Sequence, residues 1–117
     1  MLQNAPLYSY FPATDVARAR AFYEGTLGLK PGKELAGGVV YQFGENTAAF
    51  LYPTPNGGTS KASQAFWQVQ DLEREVAALQ ARGVSFEEFG GIVTGAGAKA
   101  AWFRDSEGNI LALIQPL

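Results

Sequence analysis

The side chains that most often carry chemistry are missing from this chain: it has no histidine and no cysteine. That removes the commonest general base and the commonest transition-metal ligand, together with thiolate nucleophiles, Cys-bound metals and disulfides. What remains for proton transfer is carboxylate. Glu34 and the pair Glu87-Glu88 would serve as acid or base only if one of them were desolvated in a cavity; on strand edges they read as solvated. Arg104-Asp105 reads as turn chemistry, through a local ion pair or an Asp side-chain hydrogen bond. Gly90-Gly91 and Gly95-Ala96-Gly97 make no phosphate cradle, because no helix follows to receive an anion; the segment reads as a flap or a slack loop. The candidates left are aromatic and amide groups, Tyr8, Tyr10, Gln64, Phe66, Gln68 and Trp102. Groups of this kind bind and orient a ligand.

These groups need a frame. The 117 residues are 47% hydrophobic and only 17% charged, enough apolar material for one domain or for two small halves sharing a core. Fourteen glycines and six prolines imply many turns, and so several short strands. A net charge of −2 without a Lys/Arg cluster argues against a nucleic-acid partner. No apolar run approaches the roughly 18 residues of a membrane span. The opening MLQNAPLYSY has no basic region followed by an apolar one, so no signal peptide is expected. With cysteine absent, the expected compartment is the cytoplasm.

Periodicity then places the elements. Pro6 to Pro12 alternates as a strand, with Tyr8 and Tyr10 on one face. Thr14 or Asp15 caps a helix with Val16, Ala19, Phe22 and Tyr23 as its apolar stripe, ended by Gly25 and Gly28. Leu29 to Leu35 is an edge strand interrupted by Pro31-Gly32. VVYQFG and TAAFLYP form a hairpin turned at Glu45-Asn46. After a Pro/Gly/Ser-rich segment the order restarts: strand Gln64–Gln70, a helix capped by Asp71 with Leu72, Val76 and Leu79 inward, strand VSFEEF, a glycine-rich connection, and a closing hairpin. That hairpin turns at Asp105-Ser106-Glu107-Gly108-Asn109, where Gly108 supplies a positive φ. The pattern is βαβββ written twice, with Asp15-Val16 and Arg18 echoed by Asp71-Leu72 and Arg74. Neither half can bury a sheet and a helix alone. The expected fold is α+β, with two βαβββ modules forming a curved mixed sheet around a concave cavity and helices on the outer face. Module one is expected over 5–53, the linker over 54–63 and module two over 64–117, as one domain.

At this level of detail the chain resembles the glyoxalase, bleomycin-resistance and extradiol-dioxygenase proteins of the vicinal oxygen chelate superfamily. The resemblance rests on Asp15-Val16, Ala21-Phe22-Tyr23 and Leu27-Gly28-Leu29 in the first half. In the second it rests on Asp71-Leu72, Ala81-Arg82-Gly83-Val84 and Trp102-Phe103-Arg104-Asp105 with Gly108-Asn109. It implies a cavity in which the family's metalloenzymes hold a divalent cation on His or Gln and Glu, two ligands from each half. Transferred by motif, the ligand positions are Tyr8, Leu51 or Tyr52, Gln64 and Ala112. Leu and Ala offer no donor atom and no carboxylate is among them, so neither metal nor other cofactor is expected.

The expected inner face comprises Tyr8, Tyr10, Gln64, Phe66, Gln68, Ile110 and Ala112, joined by Tyr41, Leu51 and Trp102 as ligand-contacting residues. No catalytic residue is assigned. Two readings stand. One is a metal-free protein binding an aromatic or cationic small molecule, working as a homodimer as the resemblance implies. The other is a lyase, isomerase or dioxygenase-like enzyme that uses a carboxylate base or a non-standard metal site.

Overall fold

A computed structural model describes all 117 residues, and the duplicated order of elements is present. The first module runs β1 (Tyr8–Ala13), α1 (Val16–Arg20), β2 (Glu34–Leu35), β3 (Gly38–Gln42) and β4 (Ala48–Pro53). The second runs β5 (Ala65–Gln68), α2 (Leu72–Ala81), β6 (Val93–Gly95), β7 (Ala98–Arg104) and β8 (Ile110–Pro116). Each builds a four-stranded mixed sheet of the same connectivity, β1-β4-β3-β2 and β5-β8-β7-β6. In both, the first strand is parallel to the last and the remaining pairings are antiparallel. The fold is α+β, two βαβββ modules forming open sheets covered by helices.

Local chemistry explains the repeat. The Asp15 carboxylate accepts a hydrogen bond from the Arg18 amide at 3.0 Å, and Asp71 does the same for Arg74 at 3.1 Å. Each thereby satisfies an amide that lacks a partner within its helix. Gln115 on β8 adds a second cap to α2, its Oε1 accepting from Leu72 N at 2.9 Å. α1 is short because the chain widens after Arg20 into a π-type segment, Ala21–Thr26. From these helical segments Ala19, Tyr23, Leu72 and Val76 are buried against Phe11, Val39, Tyr41, Leu51, Phe103 and Leu111. Both helices therefore cover one side of the sheets, and each fully buried side chain the size of Leu72 or Val76 stabilises the fold by roughly 1.5–3 kcal/mol.

The Asp105–Asn109 turn joins the modules. Asp105 Oδ1 accepts from the amides of Glu107 and Asn109, both at 2.9 Å, which closes the turn locally as expected. The rest reaches across. Tyr23 OH donates to Asp105 Oδ2, and Asn109 Nδ2 donates to Pro12 O at 2.7 Å across 97 residues of sequence. Glu107, its side chain fully buried, accepts from Thr14 Oγ1, Asp15 N and the Arg18 guanidinium at 2.8–3.1 Å. The Arg18 hydrogen bond is the main reason its carboxyl is held down at a pKa of about 2. The segment read as a linker is pinned into the same junction: Gly58 N donates to Asn109 Oδ1 at 3.0 Å, and a Cβ on Gly58 would sit 2.0 Å from Glu107 O.

Three expectations fail here. The strand over Leu29–Leu35 shrinks to Glu34–Leu35, because Pro31 has no amide to donate and Gly32 and Lys33 together face the single residue Val40 as a bulge. VSFEEF is no strand. Val84 and Phe86 do turn into the core, but Glu87–Phe89 is one 3-10 turn, ended by Gly90 and Gly91 at φ 86° and 72°. The missing strand comes from the glycine-rich connection, as β6, and Ala96-Gly97 is its tight hairpin turn to β7. Ala36-Gly37 makes the corresponding turn between β2 and β3.

Candidate functional site

β1 and β5 are both edge strands, and their free edges approach one another. The two sheets are not laddered together there; the contact is a side-chain one, Gln64 Nε2 donating to Tyr10 O at 3.4 Å. Where these edges part, a cleft of about 1120 Å³ opens. Tyr8, Gln64, Phe66, Gln68, Trp102 and Ala112 line it, six of the expected ligand-contacting residues brought together. Tyr10 lies in an adjoining hollow of about 410 Å³ with Leu35, Val40 and Phe50, and Tyr8 borders both spaces.

Tyr41 and Leu51 do not belong to this site. Both are fully buried in the core on the helix side of the sheet. Tyr41 OH donates to Glu24 at 2.7 Å, and burial followed by that bond pushes its phenol above the ordinary tyrosine range. The error is one of register. Phe66 pairs with Ala112 on β8, and the equivalent residue Tyr10 pairs with Phe50 on β4. The first-module counterpart of Ala112 is therefore Phe50, one residue before Leu51, and a slip of one residue exchanges the two faces of a strand.

With that register, the four ligand positions implied by the resemblance become Tyr8, Phe50, Gln64 and Ala112. One phenol and one amide do not fit a divalent cation, which needs several oxygen or nitrogen donors and benefits from carboxylate charge. No group of three or more His, Cys, Asp or Glu side chains lies together anywhere in the fold. Glu34 pairs with Arg20 at 2.7 Å and Glu88 with Arg104 at 2.8 Å; neither they nor Glu87 line the cleft.

What the site does present is aromatic surface. Tyr8, Tyr10 and Phe66 are 49%, 62% and 58% exposed despite their size. Tyr10 meets Tyr52 edge-on at 4.8 Å, and Phe50 stacks on Tyr52 at 6.1 Å. Gln64 Oε1 is buried without a hydrogen-bond partner, while its Nε2 is engaged by Tyr10 O. A buried acceptor of this kind costs about 1–3 kcal/mol until a donor reaches it.

Several lining residues escape sequence reasoning. Phe11 and Trp67 belong to the helix-side core yet reach the cleft, because it opens at the sheet edges. Phe43, Glu45 and Thr47 come from the β3–β4 turn. The available signal was the turn itself: Glu45 and Asn46 adopt φ 55° and 62° without being glycine, a conformation costing an L-residue about 1–2 kcal/mol.

Comparison with known proteins agrees with this architecture. UcmS2 superposes with a TM-score of 0.79 at 18% identity, covering 94% of this chain and 96% of its own. TnmS3, an antibiotic binding protein from Streptomyces sp. CB03234, gives 0.75 at 24%, covering 97% and 98%. A lactoylglutathione lyase from Agrobacterium tumefaciens gives 0.75 at 17%, covering 96% and 93%. Likeness at these identities speaks for the fold alone. A search of curated proteins returns no significant match. The family model described as Glyoxalase/Bleomycin resistance protein/Dioxygenase superfamily matches residues 8–113. With the duplicated βαβββ topology, that match makes the chain a member of the glyoxalase/bleomycin resistance protein/dioxygenase superfamily.

Proposed function

We propose that this chain is a metal-free small-molecule-binding protein, a single ligand-binding domain that takes an aromatic or cationic ligand between its modules. One observation carries the reading: the cleft combines large exposed aromatic surface with Tyr8, Gln64 and Ala112 at the positions where the resemblance implies metal ligands, the fourth, Phe50, facing the adjoining hollow. Tyr8, Phe66 and Trp102 stack a planar group, Tyr10 extends the surface into the adjoining hollow, and Gln64 and Gln68 orient polar substituents. The small side chain of Ala112 leaves room at the floor. TnmS3, which shares the fold, is an antibiotic binding protein, and a ligand of drug-like size suits a cleft of this volume. The working form is a cytoplasmic homodimer; exposed Leu7 and Leu35 supply apolar surface for a second copy.

A thermal-shift screen of planar aromatic and cationic compounds tests the proposal. A ligand at a hundred times its Kd adds about 2.7 kcal/mol to the folded state, a readily measured rise in Tm. Absence of any shift across such a library, or one full equivalent of tightly held metal after growth with Mn, Ni, Fe and Zn, contradicts it.

A further inference from the structure

We propose that Glu45 selects the charge of the ligand, so that the cleft prefers a cationic compound to its neutral isostere. This rests on the binding role proposed above and narrows it to one ligand class.

Phenols aside, Glu45 is the one ionisable side chain among the residues lining the cleft, and no Lys or Arg lines it. It makes no ion pair and no side-chain hydrogen bond, whereas Glu24, Glu34, Glu73, Glu88 and Glu107 are each held by a basic partner. Its charge is therefore uncompensated within the protein. The one buried side-chain atom without a hydrogen-bond partner is also an acceptor, Gln64 Oε1. The aromatic walls point the same way, since the faces of Tyr8, Phe66 and Trp102 carry negative quadrupole density that attracts cations. Carboxylate, amide oxygen and ring faces together favour positive charge and N–H donors, and no cationic side chain lines the cleft to pair with an anion.

The placement of Glu45 has its own cost. The topologically equivalent turn of module two, Asp105–Asn109, is tied down by hydrogen bonds to module one and to the linking segment. The Glu45 turn has a single side-chain bond, Thr47 Oγ1 to Gly44 O at 2.7 Å. Its glutamate nonetheless occupies left-handed backbone, φ 55° and ψ 38°, where glycine is the relaxed choice. A charged side chain kept there at the margin of an otherwise uncharged cleft matches a selecting role.

The test uses N-methylacridinium, a permanent cation, and acridine, which is neutral at mildly alkaline pH and nearly the same shape. Fluorescence titration of the wild type should show the cation bound roughly five-fold more tightly, a preference that shrinks with added salt. Glu45→Gln should abolish the preference by weakening the cation alone, and Glu45→Lys should invert it. Acridine affinity should be unchanged in Glu45→Gln, which shows that the cleft is intact. If both probes bind and the preference survives in Glu45→Gln, the role of Glu45 is refuted while ligand binding stands. If neither probe binds the wild type, the binding proposal itself fails and this inference with it.

Discussion

The two modules share a backbone plan and differ in what they present to the cavity. Both open their helices on an aspartate bonded to the amide three residues on, both turn on Ala-Gly between their second and third strands, and both pair first with last strand in parallel. Caps and tight turns admit few residue types, so duplication persists there. The cavity face obeys no such constraint. Module one sets Tyr10, Phe50 and Tyr52 on it as an aromatic cluster, while module two sets Phe66 and Trp102 on either side of the small Ala112, which pairs with both. The turns before the last strands diverge most. Asp105–Asn109 is a buried junction between modules, and Gly44–Asn46 lies free beside the cleft. Module two supplies the join, module one supplies the charged turn, and both supply aromatic surface to the cleft.

That contrast is easiest to break at the junction. Gly58→Ala drives a Cβ to within 2.0 Å of Glu107 O and strains a residue at φ 75°; chemical denaturation should register a loss of about 3 kcal/mol or more. Asn109→Ala removes bonds to Pro12 O, Asp105 and Gly58 N at once and should cost on the order of 3 kcal/mol.

Acid acts on the same join. Because the Glu107 pKa is depressed to about 2, its contribution is fully present above the unfolded-state value near 4.5. It fades as pH falls from there through the folded value. Glu107→Gln should flatten this part of the stability profile by roughly 2 kcal/mol, the half-exposed Arg18 partner being screened by solvent. An unchanged profile would place the pH dependence on other carboxylates held low, such as Glu24 beside Arg20.

The two faces of the sheet should separate cleanly. Tyr10→Ala, at a half-exposed ring, should lower affinity for an aromatic ligand about ten-fold and alter stability by under about 0.5 kcal/mol. Tyr41→Phe should do the reverse, costing about 1 kcal/mol through the lost Glu24 bond without touching affinity. The smallest effect is at the free turn. Glu45→Gly should raise stability by up to about 1 kcal/mol by relieving left-handed backbone, the opposite sign to Gly58→Ala.

The sequence revealed what is local. The aspartate caps, the Gly108-Asn109 turn and the doubled βαβββ order follow from residues within a few positions of one another, and all are present. Val84 and Phe86 misled because alternation marks burial on one side, and a coil packed on the core satisfies it as well as a strand does. β6 hid because glycines that end a slack loop and glycines that turn a hairpin look alike until Ala96-Gly97 is seen between paired strands. Leu51 stood in for Phe50 because counting from a turn of unknown length carries an error of one, enough to reverse a face. The links from Asn109 to Pro12 and from Glu107 to Arg18 span 97 and 89 residues, beyond any local signal. Glu45 drew notice as a turn residue; its charge mattered only once the cleft was found to hold no other.

The proposed role of the cleft is binding through aromatic surface without a metal. Its most direct test is the Tm shift produced by N-methylacridinium, measured after exhaustive chelation and again with Mn, Ni, Fe or Zn added back. The same shift under every condition is the predicted result. A shift lost on chelation and restored by one of these ions would contradict it.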